Sequence, residues 1–266
     1  MSNYHDLSPK VLRQLIREEK ITIPTSGMCG GYAQANLVIL PEKYARDFKL
    51  FAEYNPKPCP ILEITESGSF TTHRTADNAN IITDIPKYFI YKNGVKVDEC
   101  SSAEKYWQDD MVCFLIGCSF SFEEAMLRAG IDVRHITMGC NVPMYKTNIQ
   151  CKPAGIFNGP FVVSMRPVKV EQVKKAYEIT EKFPNVHGAP IHVGNPAEIG
   201  IKDINKPDYG DAVMINEGEV PVFWACGVTP QAAIENAKPE IVITHAPGHM
   251  FVTDILNEKI EEKLFN

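Results

Sequence analysis

Short apolar runs rich in strand formers alternate along the chain with segments of helical period, and together they predict an α/β protein. Val222-Phe223-Trp224-Ala225 is one such run, broken by Cys226 and Gly227. Thr229 stands where a helix cap belongs and Pro230 at the first helical position, so a helix is expected through Ala232, Ala233 and Ile234. Pro239 ends it, and Ile241-Val242-Ile243 reads as a second buried strand. Strand, helix and strand in so few residues predict a βαβ unit with a parallel sheet.

Met111 to Ile136 repeats this order. Val112 to Ile116 is a buried strand, Gly117-Cys118-Ser119 breaks it, and Ser121 caps a helix to Arg128, with Glu124 completing a capping box. Gly130 ends that helix and Ile131 to Ile136 reads as another strand. Cys118–Ala125 (CSFSFEEA) and Cys226–Ala233 (CGVTPQAA) share Cys-x-x-Ser/Thr-x-Glu/Gln-x-Ala. Two ordinary strand-to-helix turns can match over so short a length by coincidence. Either way, two helix amino ends are predicted at strand carboxyl ends, where anions are held.

Elsewhere, Leu7 to Glu19 predicts an opening helix with Ser8 as cap and Val11, Leu12, Leu15 and Ile16 on one face. Ala35 to Leu40 is apolar, Lys43 to Tyr54 is helical, and Asn55-Pro56-Lys57-Pro58-Cys59-Pro60 stops that helix. Ile61 to Thr65 is a strand, and His73 to Asp84 reads as a polar, mobile segment. Tyr88 to Val97, turning at Asn93-Gly94, carries the strongest hairpin signal. Phe161 to Arg166, Lys169 to Phe183 and Gly188 to Val193 read as strand, helix and strand, with a further short strand at Ala212 to Ile215. The expected architecture is a three-layer α/β/α main domain with a mixed or parallel sheet, formed by 1–140 together with 217–266. A smaller two-layer α/β subdomain, 141–216, is inserted in it.

Composition narrows the function classes. With 266 residues, 44% hydrophobic and 23% charged, the chain is ordinary for a soluble globular protein. A net charge of −6 argues against nucleic acid or an anionic membrane as partner. No apolar run approaches a membrane span and the amino terminus lacks a signal-peptide core, so a cytoplasmic protein is expected. None of the eight cysteines forms a CxxC pair, and most read as buried thiols.

Open α/β sheets hold their chemistry at strand carboxyl ends. There the chain delivers Cys226, Gly227 and Thr229, then His245 and His249, with Thr253 and Asp254 beyond; the earlier turn delivers Cys118, Ser119 and Ser121. One histidine fits a general acid/base and the other an orienting group, with a structural histidine as the bland reading of each. Arg166, closing a strand before Pro167, fits a grip on a substrate carboxylate or a salt bridge between the two parts. The irregular stretch 139–160, with Asn141 and Tyr145, reads as a ligand-facing loop or a crossover. Pro24 to Tyr32, with three glycines, reads as a tight turn or as a nest of N–H groups for an anion. His187 and His192 are further histidines, and His192 can face either way. A divalent metal on His245, His249 and Asp254 or Glu219 is an alternative on loose spacing; the preferred reading assigns no metal or other cofactor.

Seven blocks then carry a resemblance: NPKPCP (55–60), IGCSFSFEEAMLRAGI (116–131), GCNVPMYKTNI (139–149), VVSMRP (162–167), HGAPIHVG (187–194), PVFWACGVTPQ (221–231) and ITHAPGHMFVTD (243–254). Together they resemble the hydro-lyase family that also contains the mitochondrial D-glutamate cyclase of animals. The resemblance implies a two-part α/β protein, a carbon–oxygen lyase and, for the cyclase, dehydration of D-glutamate to 5-oxo-D-proline. In such a reaction His245 or His249 would move the proton, while Arg166 or the Cys226–Thr229 helix end would bind the α-carboxylate. The Cys118–Ser121 end would stabilise the oxyanion. Partners are then a small carboxylate or amino acid, with a homo-oligomer left open. A non-catalytic binding protein and a metal-dependent hydrolase are the competing readings.

Overall fold

The apolar run at Ala35 to Leu40 forms the middle of the molecule. In the computed structural model, which describes residues 4–265, it lies in β1 (Tyr32–Pro41), with every residue after Tyr32 buried. The remaining strands are β2 (Ile61–Ile64), β3 (Tyr88–Lys92), β4 (Val95–Cys100), β5 (Met111–Gly117), β6 (Met144–Gln150), β7 (Pro160–Lys169), β8 (His192–Val193), β9 (Glu219–Ala225), β10 (Val242–His245) and β11 (Phe251–Leu256). The helices are α1 (Pro9–Arg17), α2 (Glu42–Tyr54), α3 (Phe120–Arg128), α4 (Arg134–Met138), α5 (Val173–Thr180), α6 (Thr229–Ala237) and α7 (Ile260–Leu264). No helix among the described residues is long and apolar enough to cross a membrane.

The protein is mixed α/β, but its sheets are antiparallel throughout, which corrects the expected parallel or mixed sheet. The larger sheet runs β2-β5-β1-β10-β3-β4, with β11 also on β1; the smaller runs β6-β7-β9-β8. The βαβ reading fails because each helix after a turn sends the chain into the other sheet. From β5 and α3 the next strand is β6 of the smaller sheet, and from β9 and α6 it is β10 of the larger. Apolar run length does not separate a strand buried in a parallel sheet from one buried in an antiparallel sheet.

Ile131 to Ile136, expected as a strand, forms none. Gly130 takes φ +77°, its N–H bonds to Leu127 O at 2.9 Å, and the Ile131 N–H bonds to Met126 O at 3.0 Å. This is a Schellman closure of α3, which commits Ile131 to the cap and to the core beside Met126. Ala212 to Ile215 also forms no strand. The hairpin turns at Asn93-Gly94 as expected. Ser8 caps α1 by accepting from Val11 N, though Val11 itself is exposed and Arg13 takes its place on the buried face. The polar segment 73–84 is tied to β2, since the Glu63 carboxylate accepts from the amides of His73 (2.7 Å), Arg74 (3.0 Å) and Thr75 (2.8 Å).

The two sheets follow one plan. β1-α2-β2-β5-α3 and β7-α5-β8-β9-α6 have the same order, and both give a sheet arranged with the second strand outside the third and the third beside the first. The exchanged strands β10 and β6 each pair with the first strand of the opposite unit. The smaller sheet therefore takes three strands from 141–216 and β9 from beyond it. One apolar core joins the units, with Val168, Val222 and Trp224 packed among Leu37, Ile39, Leu115 and Phe122.

Candidate functional site

The repeated plan brings its two strand-to-helix turns together. At the first, the Cys118 N–H bonds to Gln34 O (3.1 Å), the Ser121 N–H to Cys118 O (3.1 Å), and the Ser121 hydroxyl accepts from Gln34 N (2.9 Å). At the second, the Cys226 N–H bonds to Val162 O (3.0 Å), the Thr229 N–H to Cys226 O (3.0 Å), and the Thr229 hydroxyl accepts from Val162 N (3.0 Å). The shared Cys-x-x-Ser/Thr is thus a docking device: it satisfies both backbone groups of one residue on the neighbouring strand. Both hydroxyls were expected to cap their own helices and neither does, because the caps are Ser119 and Val228. Glu124 accordingly pairs with Arg128 (2.9 Å) instead of closing a capping box.

Between the turns lies Asn36 of β1. Its amide donates to Gly117 O at 2.8 Å, and a Cβ on Gly227 would fall 1.9 Å from the same amide nitrogen, so a side chain there would have to displace the Asn36 amide. Cys118 and Cys226 share an apolar cluster with Val142 and Met250. Burial raises both thiols, Cys226 to about 11 and Cys118 further, so neither is a thiolate near neutral pH.

Arg166 lies fully buried beside the first turn. Its Nε (3.0 Å) and Nη2 (2.5 Å) donate to Glu123, Nη1 to Ser164 Oγ (3.0 Å) and Nη2 also to Ser119 Oγ (3.0 Å). The guanidinium packs over Phe122 and Trp224. Glu123 is also met by His135 Nε2 at 3.1 Å and by the Ser26 hydroxyl at 3.0 Å. Burial pushes the Glu123 carboxyl up, but His135 and Arg166 outweigh it and hold the carboxyl down at about 2. A buried charge is tolerated when it is paired and fully hydrogen-bonded, as here. The sequence did not single out Glu123, His135 and Ser26; the one signal was a carboxylate, Glu123, set among Phe120, Phe122 and Met126.

Two histidines carry an unusual feature. His245, closing β10, has Nδ1 3.0 Å from the Leu37 N and 3.3 Å from the Leu37 O; the shorter contact makes Nδ1 an acceptor and puts the proton of the neutral ring on Nε2. His187 bonds through Nδ1 to the Lys57 carbonyl (2.8 Å), which can only accept, so its Nε2 is a bare lone pair. Both Nε2 atoms are buried without a partner. Burial lowers both rings to about 4, which keeps them neutral at physiological pH. The loop that carries His187 packs against the first turn, where a Cβ on Gly117 would fall 2.0 Å from Asn185 O and 3.0 Å from Val186 Cγ1.

The other candidates have protein partners. His249 Nδ1 donates to Pro247 O (3.1 Å), and burial lowers its ring. Asn141 donates to Pro247 O (2.9 Å), fixing the loop between the two histidines. Tyr145 donates to Ile204 O (2.6 Å) within a separate apolar cluster. Asp254 is held bidentately by Arg13 (2.9 and 3.0 Å) and accepts from Asp77 N, bracing β11 against α1. Glu219 pairs with Arg134 (2.5 Å). No cluster of three or more His, Cys, Asp or Glu that could hold a metal occurs among the described residues. The glycine loop 24–32 spends the amides of Met28, Cys29, Gly30 and Tyr32 on the carbonyls of Thr25, Tyr4, His5 and Cys29, which fills the expected nest.

Residues 112–254 match the D-glutamate cyclase family. A protein of Clostridium beijerinckii named "Putative hydro-lyase" is 59% identical over 259 residues, covering 97% of this chain and 99% of that one. "Putative hydro-lyase YcsI" of Bacillus subtilis is 60% identical over 254 residues, covering 96% and 99%. A "Putative hydro-lyase" of Stutzerimonas stutzeri is 55% identical over 260 residues, covering 98% of each. The matched region takes in both turns, Arg166, His187 and His245, and the chain belongs to the D-glutamate cyclase family.

Proposed function

We propose that this protein is a carbon–oxygen lyase acting on a small carboxylate or amino acid, most concretely one that cyclises D-glutamate to 5-oxo-D-proline with loss of water. The observation that carries the reading is the pair of buried, partnerless imidazole nitrogens with opposite tautomers. In the cyclisation the substrate ammonium gives up two protons. Its nitrogen bonds to the side-chain carboxyl carbon, and one C–O bond of that carboxyl breaks. Both protons leave on the departing oxygen as water. A bare Nε2, as on His187, suits removal of an ammonium proton and its return to the leaving oxygen, the second proton following by the same route, and an Nε2–H, as on His245, suits a hydrogen bond to that oxygen as charge builds on it. The first strand-to-helix turn, which adjoins the loop of His187, would orient the substrate, and family membership supports the lyase class.

The test is proton NMR of the purified protein with D-glutamate, L-glutamate and a panel of hydroxy acids. 5-Oxoproline forming from the D isomer alone is the expected result. Its absence with every compound, with and without added divalent metal, would replace the lyase with a non-catalytic carboxylate-binding protein.

A further inference from the structure

The NPKPCP stretch forms one wall of a cleft of about 640 Å³; the other wall is the loop 184–189, with Phe265 at the rim and His187 in the lining. Its shape is fixed from several sides. Pro56, Pro58 and Pro60 restrict the backbone. The Asn55 side chain donates to Phe51 O (2.7 Å) and Lys152 O (2.8 Å) and accepts from Lys152 N (2.8 Å). The Pro60 carbonyl accepts from Gly117 N (2.8 Å), so the wall is continuous with the first strand-to-helix turn.

Two features of this cleft bear on a ligand, although the left-handed backbone of His187 also ends the 3-10 turn Pro184–Val186. Lys57 is half-buried, which lowers its ammonium, yet no carboxylate lies within ion-pair distance among the described residues. His187 is a non-glycine residue at φ +82° and leaves Nε2 unpartnered. Such strained backbone costs about 1–3 kcal/mol and persists where the surroundings enforce it, commonly at ligand sites. The two features are joined, since the Lys57 carbonyl is what fixes the His187 tautomer. Arg166 brings little free charge to a ligand because Glu123 already neutralises it. Glu181 also lines the cleft and gives it a carboxylate for an ammonium group.

We infer that this cleft binds the substrate as an amino dicarboxylate, with the Lys57 ammonium holding one of its carboxylates and His187 facing its amine. This rests on His187 as the base proposed above. Calorimetric titration of the full chain with D-glutamate and with glutarate, on wild type, Lys57→Met and Lys57→Arg, tests it. Both probes should bind wild type, Lys57→Met should bind each at least about ten-fold more weakly, and Lys57→Arg should recover most of the loss. Unchanged affinity in Lys57→Met, or no binding of either probe by wild type, overturns the site. Nitrogen NMR of wild-type His187 adds a reading that needs no variant: glutarate should shift its ring resonances, and the absence of a shift also overturns the site. If wild type binds through Lys57 but makes no 5-oxoproline, the lyase reading falls and the cleft stands. If 5-oxoproline forms with the same KM in Lys57→Met, the cleft falls and the lyase stands.

Discussion

The turns at Cys118 and Cys226 share a backbone and differ in what it carries. Both bracket one residue of a neighbouring strand by the same three hydrogen bonds. At the sixth position of the shared pattern, Glu123 meets Arg166, His135 and Ser26, whereas Gln231 donates to His245 O (2.9 Å) and accepts from Tyr91 at 3.5 Å. At the second position, Ser119 accepts from Arg166, whereas Gly227 has no side chain and leaves room for Asn36. One turn therefore holds a buried ion pair and the other positions an imidazole. A repeated scaffold fixes where the polar groups stand, and single substitutions on it decide their chemistry.

The largest expected effect tests that division. Glu123→Ala strands the Arg166 guanidinium without its carboxylate in a dry site and should lower stability by about 3–5 kcal/mol. Gln231→Ala removes neutral hydrogen bonds and should cost about 1–3 kcal/mol. Urea unfolding of both variants measures the gap; equal losses would mean that the two turns do the same work.

A second effect separates the histidines from the ion pair by pH. His187 and His245 sit at about 4 in the folded chain against 6.5 unfolded, with burial as the leading cause. Their depressed values mean that the unfolded chain binds more protons as pH falls from about 6.5 towards 4. Stability is therefore lost across that window, by up to roughly 3 kcal/mol for each ring, and is flat above it. Glu123, held at about 2 against 4.5, adds its own loss only below pH 4.5. Urea midpoints between pH 7 and 4.5 should fall in wild type and fall less in His187→Gln and in His245→Gln. A wild-type profile that stays level would show that the rings are not buried as neutral groups.

Most strands, the hairpin and helices α1, α2 and α6 were legible because their apolar runs, caps and prolines are local signals. Pairing direction was not, because it depends on where the chain goes after α3 and α6, and both crossings lie in irregular segments. The strand expected at 131–136 failed for a local reason that was present in the sequence: Gly130 followed by Ile131 is a helix stop that consumes the next apolar residue. Of the candidate site, the two turns and His245 come together, while Tyr145 and Asp254 are spent on a carbonyl and an arginine. Glu123 was hidden because a glutamate in a first helical turn ordinarily faces solvent, and only its apolar neighbours hinted at burial. His187 was hidden because no sequence pattern reports a positive φ outside glycine or a missing partner.

The smallest expected effect bears on whether the turns form one unit. Ser121→Ala and Thr229→Val each remove the hydroxyl that accepts a strand amide, Gln34 N in one case and Val162 N in the other. Both amides are buried, so each variant should lose about 1–2 kcal/mol, and the two losses should match because the geometry does. Asn36 reaches both turns, bonding to Gly117 O and filling the space left by Gly227, and Cys118 and Cys226 lie in one cluster. Relaxation of one turn should then be felt at the other, and the double variant should depart from additivity by at least about 0.5 kcal/mol. Strict additivity with equal single losses would keep the repeat as a shared building plan. It would also make the turns independent, and the site between them two half-sites that happen to adjoin.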